Sequence, residues 1–579
     1  MTSNNAERAP SSGALVLAID IGTTSLKAAF VSAAGEVFDF KRIEYWVADA
    51  TREFASQTSQ RGDNCSQDRN RAAVWTAALR EFFPSRLAGQ CAAVSVSGNG
   101  PTIVASDGTT LPWGADGAET ACKPKTAAGL FSKIDITEEQ KKIYEPRLAA
   151  FKELFPREWE QSPRLYTSTQ WLCDWIQKNA AALGLAPGVS VFDSGPDFVA
   201  ALVGTGTLSP GRLCDRAGSS EGLNLCSPKF FESPGLRTMP SPAKGFWNVS
   251  YLIADPGSSQ EEKVQNFQKA FNALKEAAAA NGVPFGGRVV VTGGQARDKD
   301  LLKAKEEVSG ATITTAQIPD AELLGSAAAA FFRLGKYSSL EEAAFRLARI
   351  DAPQTGDDFP RFYSVPQDMR AIIFDIDSTL YTNAAYAFEQ VDCQARRFAA
   401  LRGITNEEAR KMIADYRKKY AAENGGKKVS LSNTLRSFGI SIEQSVQWRR
   451  ELIEPADFLG VDSKLQDALV QLKKKYKLLC VTNNPILPAQ KTLAALGVEK
   501  LIEVLVGLDT CNLSKPAKEP FLLAAKKAGV FPKNIISVGD RYDLDIAPAL
   551  ELGMGGVLVR GVEDVYNLPE LLPPLVDKV

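Results

Sequence analysis

Two aspartates separated by one residue form the stretch of this sequence best suited to chemistry. Asp375 and Asp377 follow the apolar run AIIF, in the segment FDIDSTL. A carboxylate such as Asp375 can attack phosphorus when a metal ion neutralises the charge on the phosphoryl oxygens. The carboxylate two residues on can protonate the leaving oxygen and then activate water against the aspartyl-phosphate. The pair is therefore predicted to be a nucleophile with its acid/base partner.

Two other predicted strands in the same part of the chain also end in polar residues. KLLCVTNN ends in Thr482 and Asn483, and IISVGDRYDLD carries Asp540 and Asp545. The strand ends of an open parallel sheet converge on one crevice, where ligands bind. Thr482 can hydrogen-bond a phosphoryl group, and Lys515 of SKPAKEPF supplies positive charge for an anionic substrate. The two aspartates offer oxygen ligands for Mg²⁺.

The absence of histidine narrows the chemistry further. With 0 histidines in 579 residues, Ser-His-Asp and Cys-His pairs, HExxH zinc sites and imidazole bases are all excluded. Catalysis must depend on carboxylates, lysine, hydroxyls, backbone amides and metal ions, and Mg²⁺ fits that set. The 9 cysteines are scattered without CxxC spacing, which suggests neither a zinc site nor a disulfide framework. This pattern predicts a reducing, cytoplasmic location.

The segments FDIDSTL, VTNN, KPAKEPF and GDRYDLD, in this order, resemble the motifs of the haloacid dehalogenase superfamily of phosphatases. The resemblance covers roughly residues 369–579. It implies that Asp375 is the nucleophile and Asp377 the acid/base, and because the dehalogenase branch usually lacks the second aspartate, Asp377 favours a phosphatase. The metal ligands that it implies are Asp375, Asp540, Asp545 and the backbone carbonyl of Asp377.

The same resemblance extends to the substrate site and to a cap. Lys515 is assigned rather than Lys518 because the family's usual frame is KPxxxxF, and Thr482 and Asn483 are the implied phosphate-binding residues. Residues 382–470 are predicted to be helical, which indicates a cap inserted after the first motif. Caps exclude water and select the substrate. The run LYTNAAYAF is similar to the pyrimidine 5′-nucleotidase-like branch.

A second set of motifs lies in the first half of the chain. LAIDIGTTSLKAAF combines a strand, an aspartate at its end, a turn of small residues and a returning strand. Such a turn can bring N–H groups and hydroxyls against phosphates, and Asp20 can orient hydrated Mg²⁺. Together with SGPDF, AGSSEG and VTGGQA, the series resembles the FGGY family of carbohydrate kinases, in the actin-like ATPase superfamily. The resemblance covers residues 14–45 and 188–348.

This second resemblance implies an ATP site and a sugar site. Asp197 would be the base that deprotonates the sugar hydroxyl, with ATP as co-substrate. Asn99 of SGNGPT and Asp116 of LPWGADG are the implied sugar contacts. The segment 122–187 is shorter than in the family, so either the acceptor is unusual or phosphoryl transfer has been lost. The implied ATP-binding residues are Asp20, Gly22, Thr23, Thr24, Ser25, Lys27, Gly218, Ser219, Ser220, Gly293, Gly294 and Gln295.

The predicted fold class is α/β. An actin-like (ribonuclease H-like) two-lobe kinase precedes a doubly wound, Rossmann-like domain with a helical cap. The net charge of −1 offers no electrostatic case for nucleic acid or an anionic membrane, and no stretch is apolar enough to span a bilayer. The predicted units are a disordered tail 1–13, lobes 14–200 and 201–350, a proline-containing linker 351–368 and the hydrolase domain 369–579.

The predicted function is bifunctional. One half would phosphorylate a sugar or polyol with ATP, and the other would hydrolyse a phosphomonoester with Mg²⁺ through a phospho-aspartate. A different possibility is that the first half binds nucleotide or sugar without transferring phosphate and regulates the phosphatase. A purely structural scaffold is the third class, and it requires both metal sites to be empty.

Overall fold

The computed structural model describes most of the chain in nine stretches. Four of the predicted site residues, Asn99, Asp116, Ser219 and Ser220, lie outside them, as do the predicted tail 1–13 and the first part of the predicted linker. The sugar contacts are therefore not among the described residues. The described residues are 14–45, 71–83, 85–98, 100–112, 130–218, 221–253, 257–349, 360–424 and 429–573.

The first lobe is built on a five-stranded sheet with the order β3-β2-β1-β4-β8. The first three strands form an antiparallel meander, whereas β4 and β8 run parallel to β1. A small sheet, β6-β5-β7, packs beside it. The strands are β1 Leu15–Ile21, β2 Ser25–Ser32, β3 Val37–Glu44, β4 Cys91–Gly98, β5 Ile103–Val104, β6 Thr110–Leu111, β7 Tyr166–Thr167 and β8 Ser190–Pro196. The helices are α1 Arg71–Phe82, α2 Glu138–Leu154, α3 Pro156–Gln161 and α4 Ser168–Asn179.

The second lobe repeats this arrangement, with the order β11-β12-β10-β9-β13-β14. An antiparallel meander is again followed by two strands parallel to its first strand. Two sheets of this order are the ribonuclease H-like architecture predicted from the sequence. The strands are β9 Leu213–Ala217, β10 Glu221–Ser227, β11 Arg237–Pro240, β12 Trp247–Ile253, β13 Arg288–Thr292 and β14 Thr312–Thr315. Helix α5, Asp197–Gly204, follows β8 at the end of the first lobe. The later helices are α6 Gln260–Ala280, α7 Lys299–Ser309, α8 Ala321–Arg333 and α9 Leu340–Leu347.

Helices α5 and α8 follow the last strand of each sheet and cross where both have a glycine. A β-carbon on Gly204 would lie 1.8 Å from the Ala321 carbonyl oxygen, and one on Gly325 would lie 1.8 Å from that of Ala200. The contact is reciprocal, so each glycine admits the backbone of the other helix. This crossing packs the helix that ends the first lobe closely against a helix of the second.

The C-terminal sheet has the order β15-β20-β19-β16-β17-β18. Strands β16 to β20 are parallel to one another and β15 is antiparallel to β20. The strands are β15 Arg361–Tyr363, β16 Ala371–Phe374, β17 Lys477–Val481, β18 Val504–Val506, β19 Ile535–Gly539 and β20 Gly555–Leu558.

The helices of this half belong to the cap and to the core. Those after the first strand motif are α10 Ala384–Arg402, α11 Asn406–Glu423, α12 Leu431–Ser437 and α13 Ile442–Leu452. Those around the sheet are α14 Ser463–Lys473, α15 Ile486–Ala495, α16 Leu508–Cys511, α17 Glu519–Ala528, α18 Ala547–Glu551, α19 Val562–Tyr566 and α20 Leu568–Leu571, with a π-helical turn at Tyr542–Ile546.

Two boundaries differ from the sequence prediction. The segment predicted as a linker contains β15, because Phe362 and Tyr363 are buried and belong to the core that the C-terminal sheet shares with the second lobe. The predicted cap, 382–470, extends too far. Its helices α10 to α13 have a hydrophobic cluster of their own, but Leu465 and Leu469 of α14 are buried in the sheet core.

Within the described part of the chain, no helix combines the length and apolar character that crossing a membrane requires. The seven cysteines described there are all free thiols.

Candidate active sites

The C-terminal site lies at the carboxyl ends of three adjacent parallel strands. Asp375 follows β16, Thr482 follows β17 and Asp540 follows β19. The Asp375 N–H donates to the Val538 carbonyl at 2.8 Å, and the Thr482 N–H donates to Val506 at 3.0 Å. These backbone hydrogen bonds to the neighbouring strands fix the positions of the Asp375 and Thr482 α-carbons. The motifs singled out in the sequence meet at one edge of the sheet.

Lys515 joins two carboxylates at this edge. Its Nζ lies 2.6 Å from Asp375 Oδ1 and 2.5 Å from Asp545 Oδ1. Burial alone would lower the pKa of this lysine, but the two carboxylates raise it above its usual value. Lys515 is therefore a permanent cation beside the predicted nucleophile, where it can bind a phosphoryl oxygen.

Asp375, Asp540 and Asp545 fit a divalent cation. Each offers a carboxylate oxygen, and the three oxygens lie within 4.8 Å of one another. Burial and the charges of Asp375 and Asp545 raise the pKa of Asp540 to about 7, which is what crowded carboxylates show without a cation. An all-oxygen donor set suits Mg²⁺. Gly539 is required here, because a β-carbon on it would lie 2.4 Å from the Asp545 side chain.

Asp377 is held by three donors, none of which the sequence indicated. Its Oδ1 accepts from the Tyr381 hydroxyl at 2.6 Å and from Gln390 Nε2 at 2.9 Å, and its Oδ2 accepts from Asn484 Nδ2 at 2.8 Å. Gln390 lies on cap helix α10, so the cap itself contacts the predicted acid/base. Ser378, the next residue, has a φ of 59°, a left-handed conformation that turns the chain away from the strand.

Arg449 of cap helix α13 also reaches the site. Its Nη1 donates to the Asn483 carbonyl at 3.1 Å and to Asn484 Oδ1 at 3.3 Å. The second contact sets which way the Asn484 amide faces, and so directs its Nδ2 towards Asp377. Burial lowers the pKa of Arg449, and the side chain remains a cation because arginine's pKa is so high.

Asn483, predicted to bind phosphate, has its amide engaged elsewhere. Its Oδ1 accepts from the Lys515 N–H at 2.7 Å, and its Nδ2 donates to the Lys515 carbonyl at 3.2 Å. The residue therefore positions Lys515. Thr482 is buried and its hydroxyl accepts from the Asn484 N–H at 3.1 Å.

The N-terminal site also begins at a strand end. In the sheet register Asp20 of β1 lies opposite Lys27 of β2 and Ser97 of β4. Lys27 Nζ lies 3.3 Å from Asp20 Oδ2, and the Ser97 hydroxyl donates to Asp20 Oδ1 at 3.1 Å. Burial raises the pKa of Asp20, Lys27 lowers it and the charge of Asp197 raises it further. Asp197 begins α5, so the predicted base and the predicted metal-orienting aspartate face the same region.

The turn between β1 and β2 is open at its tip. Thr23 and Thr24 are exposed, whereas Ser25 is buried. A β-carbon on Gly22 would lie 2.8 Å from the Ser25 carbonyl oxygen, so only glycine permits this tight turn. Exposed hydroxyls and N–H groups beside Asp20 suit a phosphate chain.

Residues of the second lobe complete this cluster, and the sequence did not point to them. Lys27 also pairs with Asp320 at 3.2 Å, and Arg297 pairs with the same carboxylate at 2.6 Å. Burial raises the pKa of Glu322, in the first turn of α8, to about 7. Lys27 therefore bridges the two lobes.

The two turns predicted to bind nucleotide in the second lobe touch each other. A β-carbon on Gly293, whose φ is 96°, would lie 3.0 Å from the Gly218 nitrogen, so glycine is needed both for conformation and for close approach. Gly294 has open space around it.

Gln295, predicted to bind ATP, has its side chain drawn into a buried cluster. Its Nε2 donates to Glu221 at 2.6 Å, and its Oε1 accepts from Lys305 at 3.1 Å. Lys305 is fully buried and also pairs with Asp215 and Glu221, at 2.7 and 2.8 Å. A buried ammonium needs such acceptors, and this need explains the orientation of Gln295.

Comparison with known proteins agrees with this geometry. Residues 369–553 match the family model described as haloacid dehalogenase-like hydrolase. A 5-amino-6-(5-phospho-D-ribitylamino)uracil phosphatase of Escherichia coli (strain K12) is 27% identical over 220 residues, which are 34% of this chain and 87% of the relative. A glyceraldehyde 3-phosphate phosphatase of Methanopyrus kandleri is 28% identical over 203 residues, covering 33% of this chain and 84% of the relative.

Among solved structures, the first half is similar to xylulose kinase from Lactobacillus acidophilus. The sequence identity is 10%, and the TM-score of 0.40 applies to 57% of this chain and 91% of that one.

The region 369–553 is a haloacid dehalogenase-like hydrolase domain, as the four motifs predicted. The two-lobe architecture predicted for the first half is confirmed by its repeated sheet order.

Proposed function

We propose that the C-terminal half is a metal-dependent phosphomonoesterase that works through a phospho-aspartate on Asp375. The observation that carries this proposal is the convergence of Asp375, Lys515, Asp540 and Asp545 at one sheet edge. No other nucleophile of the described residues has both a buried cation and a carboxylate cluster suited to a metal beside it. Bound Mg²⁺ would neutralise phosphoryl oxygens.

The residues divide the reaction between them. Asp375 attacks phosphorus, and the bond from phosphorus to the leaving oxygen breaks as Asp377 supplies a proton to that oxygen. Asp377 then takes a proton from water, whose oxygen attacks the phosphorus; the bond between phosphorus and Asp375 breaks, which frees phosphate and restores the Asp375 carboxylate. Lys515 stabilises the negative charge throughout. Asp375, Asp540, Asp545 and the backbone carbonyl of Asp377 would hold the metal.

The proposed substrate is a small phosphorylated polyol or sugar-like compound. Curated relatives carry names for such substrates, including a phosphoribitylamino-uracil and glyceraldehyde 3-phosphate. The cap also favours a small substrate, because Gln390 and Arg449 contact the catalytic loops directly.

The test is phosphate release from a panel of such compounds, with Mg²⁺ and with chelator. Asp375→Asn is expected to lower release by at least about 10³-fold, since it removes the nucleophile. Asp543→Asn is the matched control, because Asp543 lies in the motif of the proposed metal ligands Asp540 and Asp545 but is exposed and pairs with Arg541. Unchanged release in the Asp375→Asn variant would reject the proposal.

A second function is favoured by the interlobe cluster of Asp20, Lys27, Asp197 and Asp320. The first half would transfer the γ-phosphoryl group of ATP to a sugar or polyol hydroxyl. Asp197 would accept the hydroxyl proton, and lobe closure would align the acceptor oxygen with the phosphorus. Asp20 would orient Mg²⁺ with the phosphates.

Screening sugars and polyols with ATP, with Asp197→Ala as the paired variant, tests this second function. The expected result is a phosphorylated product from the parent chain that is lost in the variant. Nucleotide binding without product in either chain would favour a regulatory first half instead.

A further inference from the structure

The second lobe and the C-terminal sheet share a continuous buried interface. The Phe362 N–H of β15 donates to the Ser209 hydroxyl at 3.1 Å. The Phe362 ring lies 5.3 Å from that of Phe246, between centroids and edge-on. All three residues are buried. Buried hydrogen bonds and aromatic packing fix the geometry between the halves.

A row of aromatic rings leads from this interface to the metal site. The Phe345 ring of α9 lies 5.5 Å from that of Tyr363, and the Tyr363 ring lies 5.4 Å from that of Tyr542. Phe345 and Tyr363 are buried, so the row cannot shift without repacking the core. It ends at the first residue of the π-helical turn.

That turn carries one of the proposed metal ligands and follows another. Tyr542–Ile546 follows Asp540 and contains Asp545. The turn is closed by the Asp545 N–H, which donates to the Arg541 carbonyl at 2.9 Å, and by the Arg541 N–H, which donates to Asp545 Oδ2 at 3.0 Å. Its conformation therefore determines where the Asp545 carboxylate lies. π-Helical turns are often found at functional sites.

Residues of α9 in the first half also reach Tyr542. The guanidinium carbon of Arg346, on α9, lies 5.6 Å from the centre of the Tyr542 ring. Burial and the nearby carboxylate of Glu342, also on α9, raise the pKa of Tyr542. Two side chains of one helix in the first half thus surround the residue that starts the metal-binding turn.

We propose that helix α9 of the kinase-like half positions the metal-binding turn of the phosphatase site. Arg346 acts on Tyr542 directly, and Phe345 acts on it through Tyr363. The proposal rests on the proposed function of the C-terminal half, since it takes Asp540 and Asp545 as metal ligands. Arg346 and Tyr542 are positioning residues, because neither contacts the three carboxylates directly. The consequence is that the metal affinity of the phosphatase depends on the first half.

Direct metal binding by the full-length chain tests this proposal. Mn²⁺ is titrated and its free-ion electron paramagnetic resonance signal gives the dissociation constant. Every chain carries Asp20→Asn, so that the first half contributes no metal site. The variants are Arg346→Gln and Tyr542→Leu. Arg349→Gln is the control, because Arg349 is also exposed near the end of the same helix, and no contact between it and Tyr542 occurs among the described residues.

We expect Arg346→Gln to raise the Mn²⁺ dissociation constant about two- to five-fold, the size of an exposed cation–π contact. Tyr542→Leu is expected to raise it about ten-fold, because it also removes the ring contact with Tyr363. The control stays within about two-fold of the parent. Phosphate release at saturating metal changes little, so the effect lies in metal affinity rather than in turnover.

Unchanged Mn²⁺ affinity in both variants, in chains with parental thermal stability, overturns the proposal. So does an equal weakening in the Arg349→Gln control. The outcome is separable from the proposed function: a parent chain that binds Mn²⁺ but releases no phosphate refutes the phosphatase and leaves the comparison of affinities intact.

Discussion

The two candidate sites use the same pattern of charge in different structural settings. In the C-terminal site Lys515 joins Asp375 and Asp545 at the edge of one sheet. In the N-terminal site Lys27 joins Asp20 of one lobe to Asp320 of the other. The charged residues of the first cluster meet at the edge of one sheet, whereas those of the second come from two lobes.

A third lysine shows the same pattern without a cleft. Lys305 pairs with Asp215 and Glu221, and all three side chains are fully buried. This cluster ties the two nucleotide-site turns together through Gln295. A lysine between two carboxylates therefore indicates a catalytic site only where a substrate can reach the lysine.

The largest effect is expected from Lys515→Met. The change removes the cation beside the nucleophile and leaves three crowded carboxylates facing an anionic substrate. Phosphate release should fall by about 10³-fold, the usual cost of losing one electrostatic contact to a transition state. ATP binding by the first half should not change. A loss below ten-fold in steady-state kinetics would mean that Lys515 is a structural partner like Lys305.

A pH-dependent change in stability is expected from Glu221→Gln. Burial and the charge of Asp215 raise the pKa of Glu221 from 4.5 to about 7. The folded state therefore holds an extra proton between these values. The stability from this group is complete below pH 4.5 and is lost as the pH rises through 7.

The variant removes this titration. Relative to the parent, its free energy of unfolding should rise by about 3 kcal/mol between pH 4.5 and pH 8. Urea unfolding of both chains at each pH measures the difference. If the difference in free energy of unfolding between the two chains is the same at both pH values, Glu221 has its ordinary pKa and the interpretation of the buried cluster is wrong.

The smallest effect is expected from Lys27→Met. Asp20, Asp320 and Glu322 would then face the phosphates of a nucleotide without the bridging cation. The ATP dissociation constant, measured by calorimetry, should rise about ten-fold, the value of one hydrogen bond to a charged group. Lys336→Met is a control of equal charge at an exposed position. Equal effects of the two changes would show that only net charge matters.

The C-terminal site could be predicted from sequence because its parts are local to strand ends. Asp375, Thr482 and Asp540 each follow a short apolar run, and parallel strands bring such ends together. The ribonuclease H-like fold of the first half was predicted differently, through the resemblance of its GTTS turn and later motifs to a known kinase family.

Other parts of the sites arise from tertiary packing, and short motifs do not reveal them. Gln390 and Arg449 reach Asp377 and Asn484 from cap helices. In the structure Gln390 is half-buried and Arg449 is buried. A polar residue on the inward face of a predicted helix is the one feature of the sequence that could have indicated them. Asp320 joins the N-terminal site from the other lobe.

Gln295 and Asn483 show the opposite case. The motifs assigned them to ligands, but each side chain is held by a lysine residue of its own site, Gln295 by the ammonium of Lys305 and Asn483 by the backbone of Lys515. A motif fixes where a residue lies along the chain, and the hydrogen-bond needs of its neighbours decide which way the side chain faces.

Trapping the phosphorylated enzyme tests the central claim most directly. The Asp377→Asn variant is mixed with a ³²P-labelled aryl phosphate, such as p-nitrophenyl phosphate, whose leaving group departs without a proton from Asp377. The mixture is then quenched in acid and digested for peptide mapping. The account predicts that label accumulates on the peptide containing Asp375, because the acid/base that releases it is gone, and that Asp375→Asn abolishes the label. Continued hydrolysis of the aryl phosphate by the Asp375→Asn chain would contradict the account.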